Sequence, residues 1–535
     1  MKIKDLLNDL DYTLTLGGRT LEGTEKEEAL QREITGIAND SRKVEPGFLF
    51  FCIVGATSNG HAYAQQVTDK GAAALVVSED VEIHEKTADA AFSSAGDTAE
   101  GAAPDQSRVV ESPALPVLIH VQNTRHAMAL ISCAYYGYPA RRMKMIGVTG
   151  TKGKTTTTYL VRSILQHAGL NVGLIGTIES AYNDVHIPSN NTTPESMALQ
   201  KILRDMAEGG VQAVVMEVSS QALMLGRTDG ILYDIGVFTN ISPDHIGPNE
   251  HASFEDYMHC KGLLFRQCRI GIVNGDDPHV NDVLSGHTCT VETFGLEKTD
   301  DLYADHLELI KKPGELGISF NTEGVVRLHA EVPTPGRFSV YNALCAIAIC
   351  RHFHVTPEET EAALLQAHVK GRIEMVKVSD QFTVMIDYAH NAVALESLLS
   401  TLREYHPHRL VTLFGCGGNR SKLRRFEMGE VSGKLSDFTI ITSDNPRFEE
   451  PMDIIKDIVT GISKTEGQYV TIPDRREAIA YAIHHGESGD IIVLAGKGHE
   501  DYQEIKGKKY PMDERVIIRD ILKADAAAAA SGAKG

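Results

Sequence analysis

Short apolar segments alternate with helical segments along most of the chain, and each apolar segment ends in polar or small residues. Four of them lie between about residues 142 and 335: "KMIGVTG", "NVGLIGTI", "VQAVVMEVS" and "YDIGVFTNI". Four more follow residue 336: "FTVMIDYAH", "HRLVTLFGCGG", "FTIITSDNP" and "DIIVLAGKGHE". This alternation is typical of parallel sheets with crossover helices, whose ligands bind at the carboxyl ends of the strands. The pattern predicts an α/β fold with a parallel central nucleotide-binding sheet and a doubly wound C-terminal sheet.

The start of the chain predicts a smaller α/β unit. The segments "GFLFFCIVG" and "AAALVVSE" indicate strands on either side of the helical segment "HAYAQQVTDKG". Residues 85–116 are rich in Ala, Ser, Gly and acidic residues and lack any apolar period, which predicts a disordered insertion. The predicted domains are therefore 1–141, 142–335 and 336–523, with a disordered alanine-rich tail at 524–535.

Size and charge narrow the function classes. A chain of 535 residues is long enough for three or four domains at about 150 residues each. The formal net charge is −20 and no block of Lys and Arg occurs, which excludes a nucleic-acid backbone as a natural partner. The segment "MKIKDLLNDLDYTL" is not a secretory signal, and no stretch reaches the roughly 18 apolar residues of a membrane-spanning helix. We expect a cytoplasmic monomer without membrane insertion.

Eight cysteines are scattered through the chain and never form a C-x-x-C pair. Several lie in apolar runs such as "NALCAIAIC", where a reduced thiol packs as a small apolar side chain. We therefore predict free thiols rather than disulfides or a metal site.

The stretch "GVTGTKGKTTTT" at residues 147–158 resembles a phosphate-binding loop but departs from its usual spacing. The pattern G-x-x-x-x-G-K-[ST] requires glycine at position 148, where this chain has valine. The order of strand, glycine-rich turn and helix nevertheless favours phosphate binding over an ordinary turn, because backbone N–H groups at a helix start attract anions. A lysine adds charge, and a threonine hydroxyl can bind Mg²⁺. The predicted ATP-binding residues of this loop are Gly150, Thr151, Lys152, Gly153, Lys154, Thr155 and Thr156.

The loop by itself does not separate a kinase, a switch GTPase and a ligase. The Asn-Lys-x-Asp motif that reads guanine is absent from the sequence. Glu217 closes an apolar strand, where a Mg²⁺ ligand is expected beside a phosphate loop, although a helix cap or surface acid gives the same pattern. The segment "TNISPDHIG" presents Asp244 and His245 at the end of another strand. A lone histidine is commonly structural, so His245 is a candidate only because of this position.

Eleven segments occur in the order found in the Mur ligases: "GTKGKT", "NTTPES", "EVSSQAL", "FTNISPDH", "CKGLLF", "PGRFSVYNALCA", "GRIE", "DYAH", "GCGGNR", "DNPRFEEP" and "LAGKGHEDYQ". The chain resembles the branch of this family that adds a diamino acid to UDP-N-acetylmuramoyl-L-alanyl-D-glutamate. The resemblance covers essentially the whole chain and implies a UDP-binding N-terminal domain, a central ATPase domain and a Rossmann-like C-terminal domain.

The resemblance also implies a reaction in peptidoglycan precursor synthesis. ATP phosphorylates the γ-carboxylate of D-glutamate, and an amine then attacks the acyl phosphate to give an amide, ADP and phosphate. Such chemistry depends more on neutralising the charge of the phosphoryl group than on a protein nucleophile. By resemblance, Lys154 and two Mg²⁺ ions provide the positive charge, with Thr155, Glu217, His245 and an N-carboxylated Lys261 as metal ligands. From the sequence alone, Lys261 is an ordinary helix lysine.

Further contacts follow from the resemblance alone. For the nucleotide, it implies Asn342 at adenine, Arg372 at the phosphates, and Asp387 with His390 near the ribose or phosphates. For the UDP-muropeptide, the implied contacts are Thr192, Thr193, Ser219 and Arg227, with Ser41 and Arg42 on the uridine side. The residues "TTPE" also match a helix start capped by Thr193, which gives its hydroxyl a structural role instead.

The sequence predicts meso-diaminopimelate rather than L-lysine as the amino acid. The two differ mainly by a distal carboxylate, which the planar guanidinium of Arg447 can bind with two hydrogen bonds. The alternative is a surface arginine paired with Glu449 or Glu450. By resemblance, the rest of the pocket contains Arg420, Asp444, Asn445, Gly496 and Glu500. Asn419 and Ser421 stand where the family commonly has acids, a departure that bears on the shape of this pocket.

Three other functions stay open on the sequence. One is the same ligase using L-lysine. Another is a folylpolyglutamate synthetase-like ligase, which shares the loop and Lys261 but lacks a UDP-binding domain and the segment "DNPRFEEP". The third is a non-catalytic nucleotide-binding module, which would bind ATP without substrate-dependent ADP release.

Overall fold

A computed structural model describes residues 1–55, 58–84, 115–247, 250–312 and 314–532. These residues form three large β-sheets and one two-stranded sheet. The predicted disordered insertion lies almost wholly outside the described residues. All eight cysteines are described, and each is a buried free thiol, as predicted. Within the described ranges, no helix combines the length and the apolar character needed to cross a membrane.

The N-terminal sheet has the order β2-β1-β6-β5-β4-β3, in which β3 to β6 are parallel and β1 and β2 are antiparallel. Its strands are β1 Thr13–Leu16, β2 Arg19–Thr20, β3 Gly36–Ala38, β4 Phe48–Phe51, β5 Ala74–Val77 and β6 Val117–His120. Its helices are α1 Ile3–Leu6, α2 Gly23–Leu30, α3 Ala64–Asp69 and α4 Thr124–Tyr135. The two predicted strands and the predicted helix are confirmed as β4, β5 and α3.

The central sheet has eleven strands in the order β10-β9-β8-β11-β7-β12-β13-β14-β15-β16-β17. The strands are β7 Lys144–Thr149, β8 Val172–Ile175, β9 Glu179–Tyr182, β10 Val185–Pro188, β11 Ala213–Glu217, β12 Tyr233–Phe238, β13 Cys268–Asn274, β14 Thr290–Gly295, β15 Leu302–Lys312, β16 Glu315–Gly324 and β17 Leu328–Val332. The helices are α5 Lys154–His167, α6 Ser196–Glu208, α7 Ser220–Met224, α8 Phe254–Gly262, α9 Val280–Val283, α10 Arg337–Cys350 and α11 Pro357–Gln366.

The central sheet is mixed, whereas the sequence predicted a parallel sheet. The parallel part runs from β8 to β15, and antiparallel strands extend it at both edges. The added strands escaped prediction because they are partly exposed and lack the continuous apolar runs of strands that are buried on both faces. Helices α10 and α11 follow the predicted domain boundary at residue 335, but their apolar side chains pack into the core of the central domain.

The C-terminal sheet has the order β18-β19-β23-β20-β21-β22, with β24 and β25 as a separate hairpin. The strands are β18 Glu374–Val376, β19 Thr383–Asp387, β20 Leu410–Phe414, β21 Phe438–Ile441, β22 Gln468–Thr471, β23 Ile491–Ala495, β24 Tyr502–Ile505 and β25 Lys508–Pro511. The helices are α12 Ala392–Arg403, α13 Lys422–Leu435, α14 Pro451–Ile462, α15 Arg475–His484 and α16 Glu514–Gly532. Separate apolar clusters cover the two faces of the sheet, as expected for a doubly wound fold.

The predicted disordered tail is helical as far as the structure describes it. Helix α16 continues through the alanine run to Gly532, because alanine has the highest intrinsic helix propensity. His484 Nε2 also lies 3.0 Å from a carboxylate oxygen of Asp525, which attaches this helix to α15.

Candidate active site

The glycine-rich loop after β7 leads directly into α5, the geometry that the sequence predicted. Gly150 and Gly153 have φ angles of 147° and 86°, which side chains rarely adopt. A Cβ at Gly150 would collide with Thr239 Oγ1, and a Cβ at Gly153 would lie 2.5 Å from Asn342 Oδ1. Both glycines are therefore required by conformation and by close packing. The predicted adenine contact, Asn342, is buried beside this loop.

Residues that follow β12 hold the loop in shape. The Thr151 N–H donates to the Asn240 carbonyl over 2.8 Å, and the Lys152 N–H donates to Asn240 Oδ1 over 3.0 Å. Thr239 Oγ1 donates to the Lys152 carbonyl over 2.7 Å. The segment "FTNIS" therefore shapes the backbone that is predicted to surround the phosphates.

Two lysine ammonium groups share one carbonyl acceptor in this loop. Lys154 Nζ and Lys261 Nζ each donate to the Gly150 carbonyl over 2.8 Å, although the two lysines are far apart in sequence. Lys261 is 1% exposed. Its desolvation, aided by the charge of Lys154, holds the pKa of Lys261 well below its usual range. Desolvation also lowers the pKa of Lys154. Burial and the charge of Lys154 therefore both act against the ammonium form of Lys261.

Glu217, at the end of β11, is 1% exposed and lies beside the start of α5. Its Oε1 accepts from Thr155 Oγ1 over 3.0 Å and from the Thr177 N–H over 2.8 Å, and its Oε2 accepts from Thr177 Oγ1 over 3.0 Å. Among the described residues, no Lys, Arg or His forms an ion pair with this buried carboxylate. A carboxylate next to a threonine hydroxyl is a hard oxygen donor set, which suits Mg²⁺.

The predicted muropeptide contacts meet on the far side of Glu217. Thr193 Oγ1 donates to the Glu217 carbonyl over 2.9 Å and accepts from the Ser219 N–H over 3.0 Å. Arg227 Nη1 donates to the Thr193 carbonyl over 3.1 Å, and its Nη2 lies 2.7 Å from Glu195 Oε1. The structure therefore brings Thr193, Ser219 and Arg227 together. Thr192 joins them, because its hydroxyl lies 3.1 Å from that of Thr177.

Thr193 does not cap a helix, contrary to the alternative interpretation of "TTPE". Helix α6 begins at Ser196, and its N-cap residue is Glu195, which makes no side-chain cap hydrogen bond. The hydroxyl of Thr193 instead connects the segment before α6 to the end of β11, where it contacts Glu217 and Ser219. The side chain is fully buried.

His245 and Tyr257 form the wall next to Lys261. The Tyr257 hydroxyl lies 3.1 Å from Thr151 Oγ1, and Lys261 Nζ lies 4.3 Å from the centre of the Tyr257 ring. His245 has a positive φ of 54°, its side chain is 60% exposed, and its Nδ1 lies 3.3 Å from Glu250 Oε1. The structure brings His245 to the same cavity as Lys261 but leaves its ring largely open to solvent.

A cavity of about 570 Å³ joins these groups. Most of its lining comes from the central domain, and one lining residue, Arg420, comes from the loop after β20 in the C-terminal domain. The carboxyl edges of the two sheets therefore face each other across the cavity. The lining residues are Gly150, Lys154, Asn190, Asn191, Thr192, Ser219, Ser220, Gln221, Arg227, His245, Glu250, His251, Tyr257, Lys261 and Arg420.

Asp387, at the end of β19, has its carboxylate held by backbone groups. It accepts from the N–H groups of Ile373 and Ala389 over 2.9 and 2.8 Å. Burial raises the pKa of this carboxyl, and the charge of Arg372 opposes the rise. Through the Ile373 N–H, Asp387 holds the segment that carries Arg372.

Arg372 and His390 flank the Tyr388 ring. The Arg372 guanidinium lies 4.9 Å from the centre of that ring, and the His390 ring lies 4.6 Å from it. Arg372 Nε is buried without a hydrogen-bond partner among the described residues. Burial lowers the pKa of Lys154, and the charge of Arg372 adds to this effect.

Arg447 lies in the predicted pocket at the C-terminal sheet edge, in a left-handed conformation with φ of 54°. Its Nε lies 3.0 Å from Glu504 Oε2, and its Nη1 donates to the Gly418 carbonyl over 2.7 Å. The surface pairing considered from the sequence does not occur, because Glu449 is bound by the buried Arg425 instead. The Nη2 group of Arg447 makes no hydrogen bond to any described residue and stays available to a ligand.

The other predicted amino-acid contacts lie on neighbouring loops of the same edge. Asp444 and Asn445 follow β21, whereas Gly496 and Glu500 follow β23. Asn445 Nδ2 donates to Glu500 Oε2 over 2.8 Å. Arg420 lines the central cavity, so this pocket opens toward the phosphate loop.

The predicted uridine contacts, Ser41 and Arg42, lie apart from this cavity in the N-terminal domain. Arg42 forms two hydrogen bonds with Asp40, and its side chain is 86% exposed. The Ser41 carbonyl accepts from Lys70 Nζ over 2.7 Å. The structure does not bring this pair into the central cavity.

Sequence analysis missed three residues that shape the site. Thr177 binds both oxygens of Glu217, Tyr257 connects the phosphate loop with Lys261, and Lys497 lies buried beneath the amino-acid pocket. No motif distinguished Thr177 or Tyr257. Lys497 was within the quoted "GKGHE" segment, and its small-residue neighbours were the only signal.

Three known domain descriptions match the chain. Residues 33–136 match "Mur ligase family, catalytic domain", residues 148–350 match "Mur ligase middle domain", and residues 371–498 match "Mur ligase, glutamate ligase domain". These matches follow the order of the three sheets.

Curated relatives match over nearly the full length. A protein of Clostridium acetobutylicum named UDP-N-acetylmuramoyl-L-alanyl-D-glutamate--2,6-diaminopimelate ligase 1 is 38% identical, with 98% of this chain and 99% of that protein covered. A Geobacillus thermodenitrificans diaminopimelate ligase is 36% identical, with 92% and 95% covered. A solved structure of a UDP-N-acetylmuramoyl-L-alanyl-D-glutamate--2,6-diaminopimelate ligase is 25% identical, with 98% of this chain and 99% of that chain covered, and has a TM-score of 0.67.

Proposed function

The chain belongs to the Mur ligase family, and we propose that it joins meso-diaminopimelate to UDP-N-acetylmuramoyl-L-alanyl-D-glutamate at the expense of ATP. The products are the UDP-linked tripeptide, ADP and phosphate, a step of peptidoglycan precursor synthesis. The observation that carries the proposal is the cavity where the phosphate loop, the predicted muropeptide contacts and Arg420 of the opposite domain meet. From the same similarity to the Mur ligases, we also propose a cytoplasmic enzyme that acts as a monomer.

The proposed first step is transfer of the γ-phosphoryl group of ATP to the γ-carboxylate of D-glutamate. Lys154 at the loop and Arg372 from the C-terminal domain bring positive charge to the transferring group, which lowers the barrier to phosphoryl transfer. Asn342 is proposed to bind adenine, and Asp387 with His390 to bind the ribose or phosphates. Asn240 holds the loop in shape by accepting from the N–H groups of Thr151 and Lys152, and we propose that other N–H groups of the loop provide the remaining donors.

The proposed muropeptide contacts place the acceptor carboxylate next to the loop. Thr192, Thr193, Ser219 and Arg227 converge beside Glu217, and all but Thr193 line the cavity. Ser41 and Arg42 are proposed to hold the uridine end in the N-terminal domain. A UDP-linked substrate is extended, so its two ends can occupy separate sites.

Mg²⁺ fits the donors near Glu217, because a buried carboxylate and a threonine hydroxyl lie 3.0 Å apart beside the phosphate loop. We propose Thr155, Glu217, His245 and N-carboxylated Lys261 as the residues that hold two such ions. When bound, the ions would neutralise phosphate charge during transfer. The chain contributes the orientation of these donors, which Thr177 fixes through both oxygens of Glu217.

The surroundings of Lys261 support the proposed carboxylation. Two ammonium groups that share the Gly150 carbonyl would repel each other, and the burial of Lys261 also acts against its charged form. The neutral amine of Lys261 would add CO₂ and lose a proton to form a carbamate, so this position would carry a negative charge in place of the positive charge of an ammonium. The resulting anion would attract Lys154 and provide oxygen ligands to a metal ion.

Replacement of Arg447 by alanine is expected to lower kcat/KM for meso-diaminopimelate by about 2–5 kcal/mol, the range for truncating one partner of a buried charge pair. Glu504 and the Gly418 carbonyl hold Nε and Nη1 of Arg447, and its Nη2 makes no hydrogen bond to a described residue, so we propose Nη2 as a donor to the distal carboxylate of the substrate. Weak activity with L-lysine should hardly change. The exposed Arg519→Ala variant is the matched control, and steady-state kinetics with both amino acids give the measurement.

Two results would contradict this choice of amino acid. The wild-type enzyme could prefer L-lysine, or Arg447→Ala could lower the activity with both amino acids equally. Either result would leave the ligase assignment intact and remove the specificity argument.

ADP release is expected to require ATP, the UDP-muropeptide and a diamino acid together, because the acyl phosphate turns over only when an amine attacks it. A coupled assay that omits each substrate in turn checks this, and a panel of amino acids identifies the acceptor. Equal ADP release with ATP alone would overturn the ligase function. A non-catalytic module would bind ATP but show no substrate-dependent release, and a folylpolyglutamate synthetase would require a folate instead of the muropeptide.

A further inference from the structure

Lys497 is a charged side chain without any exposed surface, on the loop after β23. Its Nζ donates to Asn445 Oδ1 over 2.9 Å, to Glu500 Oε2 over 3.1 Å and to the Tyr502 carbonyl. Asp444 Oδ1 lies 3.4 Å from the same nitrogen. One ammonium group therefore connects the loop after β21, the loop after β23 and the start of β24.

The contacts of Lys497 fix the orientation of two predicted substrate contacts. Asn445 Oδ1 accepts from Lys497 and from the Glu504 N–H over 2.9 Å, so its Nδ2 must point toward Glu500. That Nδ2 and the lysine both bind Glu500 Oε2. The other oxygen of Glu500 makes no hydrogen bond to any residue the structure describes, and it remains available to a ligand.

Lys497 also balances charge beneath the pocket. Asp444 and Glu500 are both within ion-pair distance of its nitrogen. Two carboxylates this close, in a largely buried setting, would repel each other without a cation between them. With the lysine present, they keep one net negative charge, which suits an ammonium group on the incoming amino acid.

We infer that Lys497 is the positioning residue of the amino-acid pocket: it holds Asn445 and Glu500 in the orientation that receives the ammonium group of the diamino acid. This inference rests on the proposed function, and it assigns to Lys497 no contact with the substrate. The lysine acts through Glu500, so its effect should appear in amino-acid binding rather than in ATP or muropeptide binding.

The test is Lys497→Met, which keeps most of the apolar stem and removes the charge and the three hydrogen bonds. We expect KM for meso-diaminopimelate to rise about tenfold or more, while KM for ATP and for the muropeptide changes little. Lys508→Met is the matched control, since Lys508 lies exposed on the adjoining β25. Melting temperature and ATP affinity check that each variant is folded.

A double-mutant cycle with Glu500→Gln separates positioning from general damage. If Lys497 acts through Glu500, the double variant should have about the same KM for the amino acid as Glu500→Gln alone. The double variant also keeps the inference testable if Lys497→Met does not fold. In the double variant, Glu500 is replaced by glutamine, so no carboxylate at position 500 loses its cation. If KM of the double variant for the amino acid rises by the product of the two single-variant effects, the inference is overturned.

An unchanged KM of Lys497→Met for the amino acid would overturn the inference. A wild-type enzyme that does not turn over meso-diaminopimelate would instead overturn the proposed function.

Discussion

Replacement of Lys261 by alanine is expected to lower kcat by about three orders of magnitude, because the enzyme would lose the proposed carbamate, which is proposed to hold a metal ion at the transferring phosphoryl group. Lys261 is buried, contacts the phosphate loop through the Gly150 carbonyl and lies against Tyr257. Steady-state ADP release with both substrates measures the loss. The melting temperature shows whether the fold is retained.

Rescue by small carboxylic acids distinguishes a carboxylated Lys261 from a lysine that only packs against its neighbours. Lys261→Ala leaves a space that acetate or propionate can enter, so added carboxylate should restore part of the activity. Lys261→Met fills the same space and should stay inactive under the same conditions. Carbon-13 NMR of wild-type enzyme in labelled bicarbonate should show a carbamate signal. Absence of both the rescue and the signal would contradict carboxylation, even if Lys261→Ala is inactive.

Replacement of Lys154 by alanine is expected to lower kcat by about a thousandfold or more, since one cation at the transferring phosphoryl group is worth several kcal/mol in the transition state. In the structure, Lys154 Nζ binds the carbonyls of Gly150 and Thr151, so it is held within the loop that would surround the phosphates. The exposed Lys298→Ala variant in the same domain is the matched control. Single-turnover assays separate the transfer step from binding.

The fold of the Lys154→Ala variant should be unchanged, because the hydrogen bonds of the Lys154 ammonium to described residues are both to carbonyls of its own loop. Removing it also relieves Lys261 of a neighbouring positive charge. Full activity of Lys154→Ala would contradict the phosphoryl-transfer role, whereas loss of activity with a lowered melting temperature would indicate a structural one.

The sequence by itself determined the positions of the parallel strands and the phosphate loop. The predicted strands around "KMIGVTG", "VQAVVMEVS" and "DIIVLAGKGHE" are confirmed as β7, β11 and β23. Their signal is local, since a strand buried on both faces requires a continuous apolar run and a glycine-rich turn requires residues that tolerate positive φ. Exposed strands such as β10 lack that signal. The alanine-rich tail has the composition of a disordered segment, although it is helical in the structure.

Only the tertiary structure decided which polar groups meet. Lys261 reaches Gly150 across 111 positions, Glu504 rather than Glu449 holds Arg447, and Lys497 connects two loops with the start of β24. Periodicity describes which face of a strand or helix is apolar, but it carries no information about partners distant in sequence. Those partners depend on the order of strands in each sheet and on how two sheet edges face each other, and both are set by packing of the whole chain.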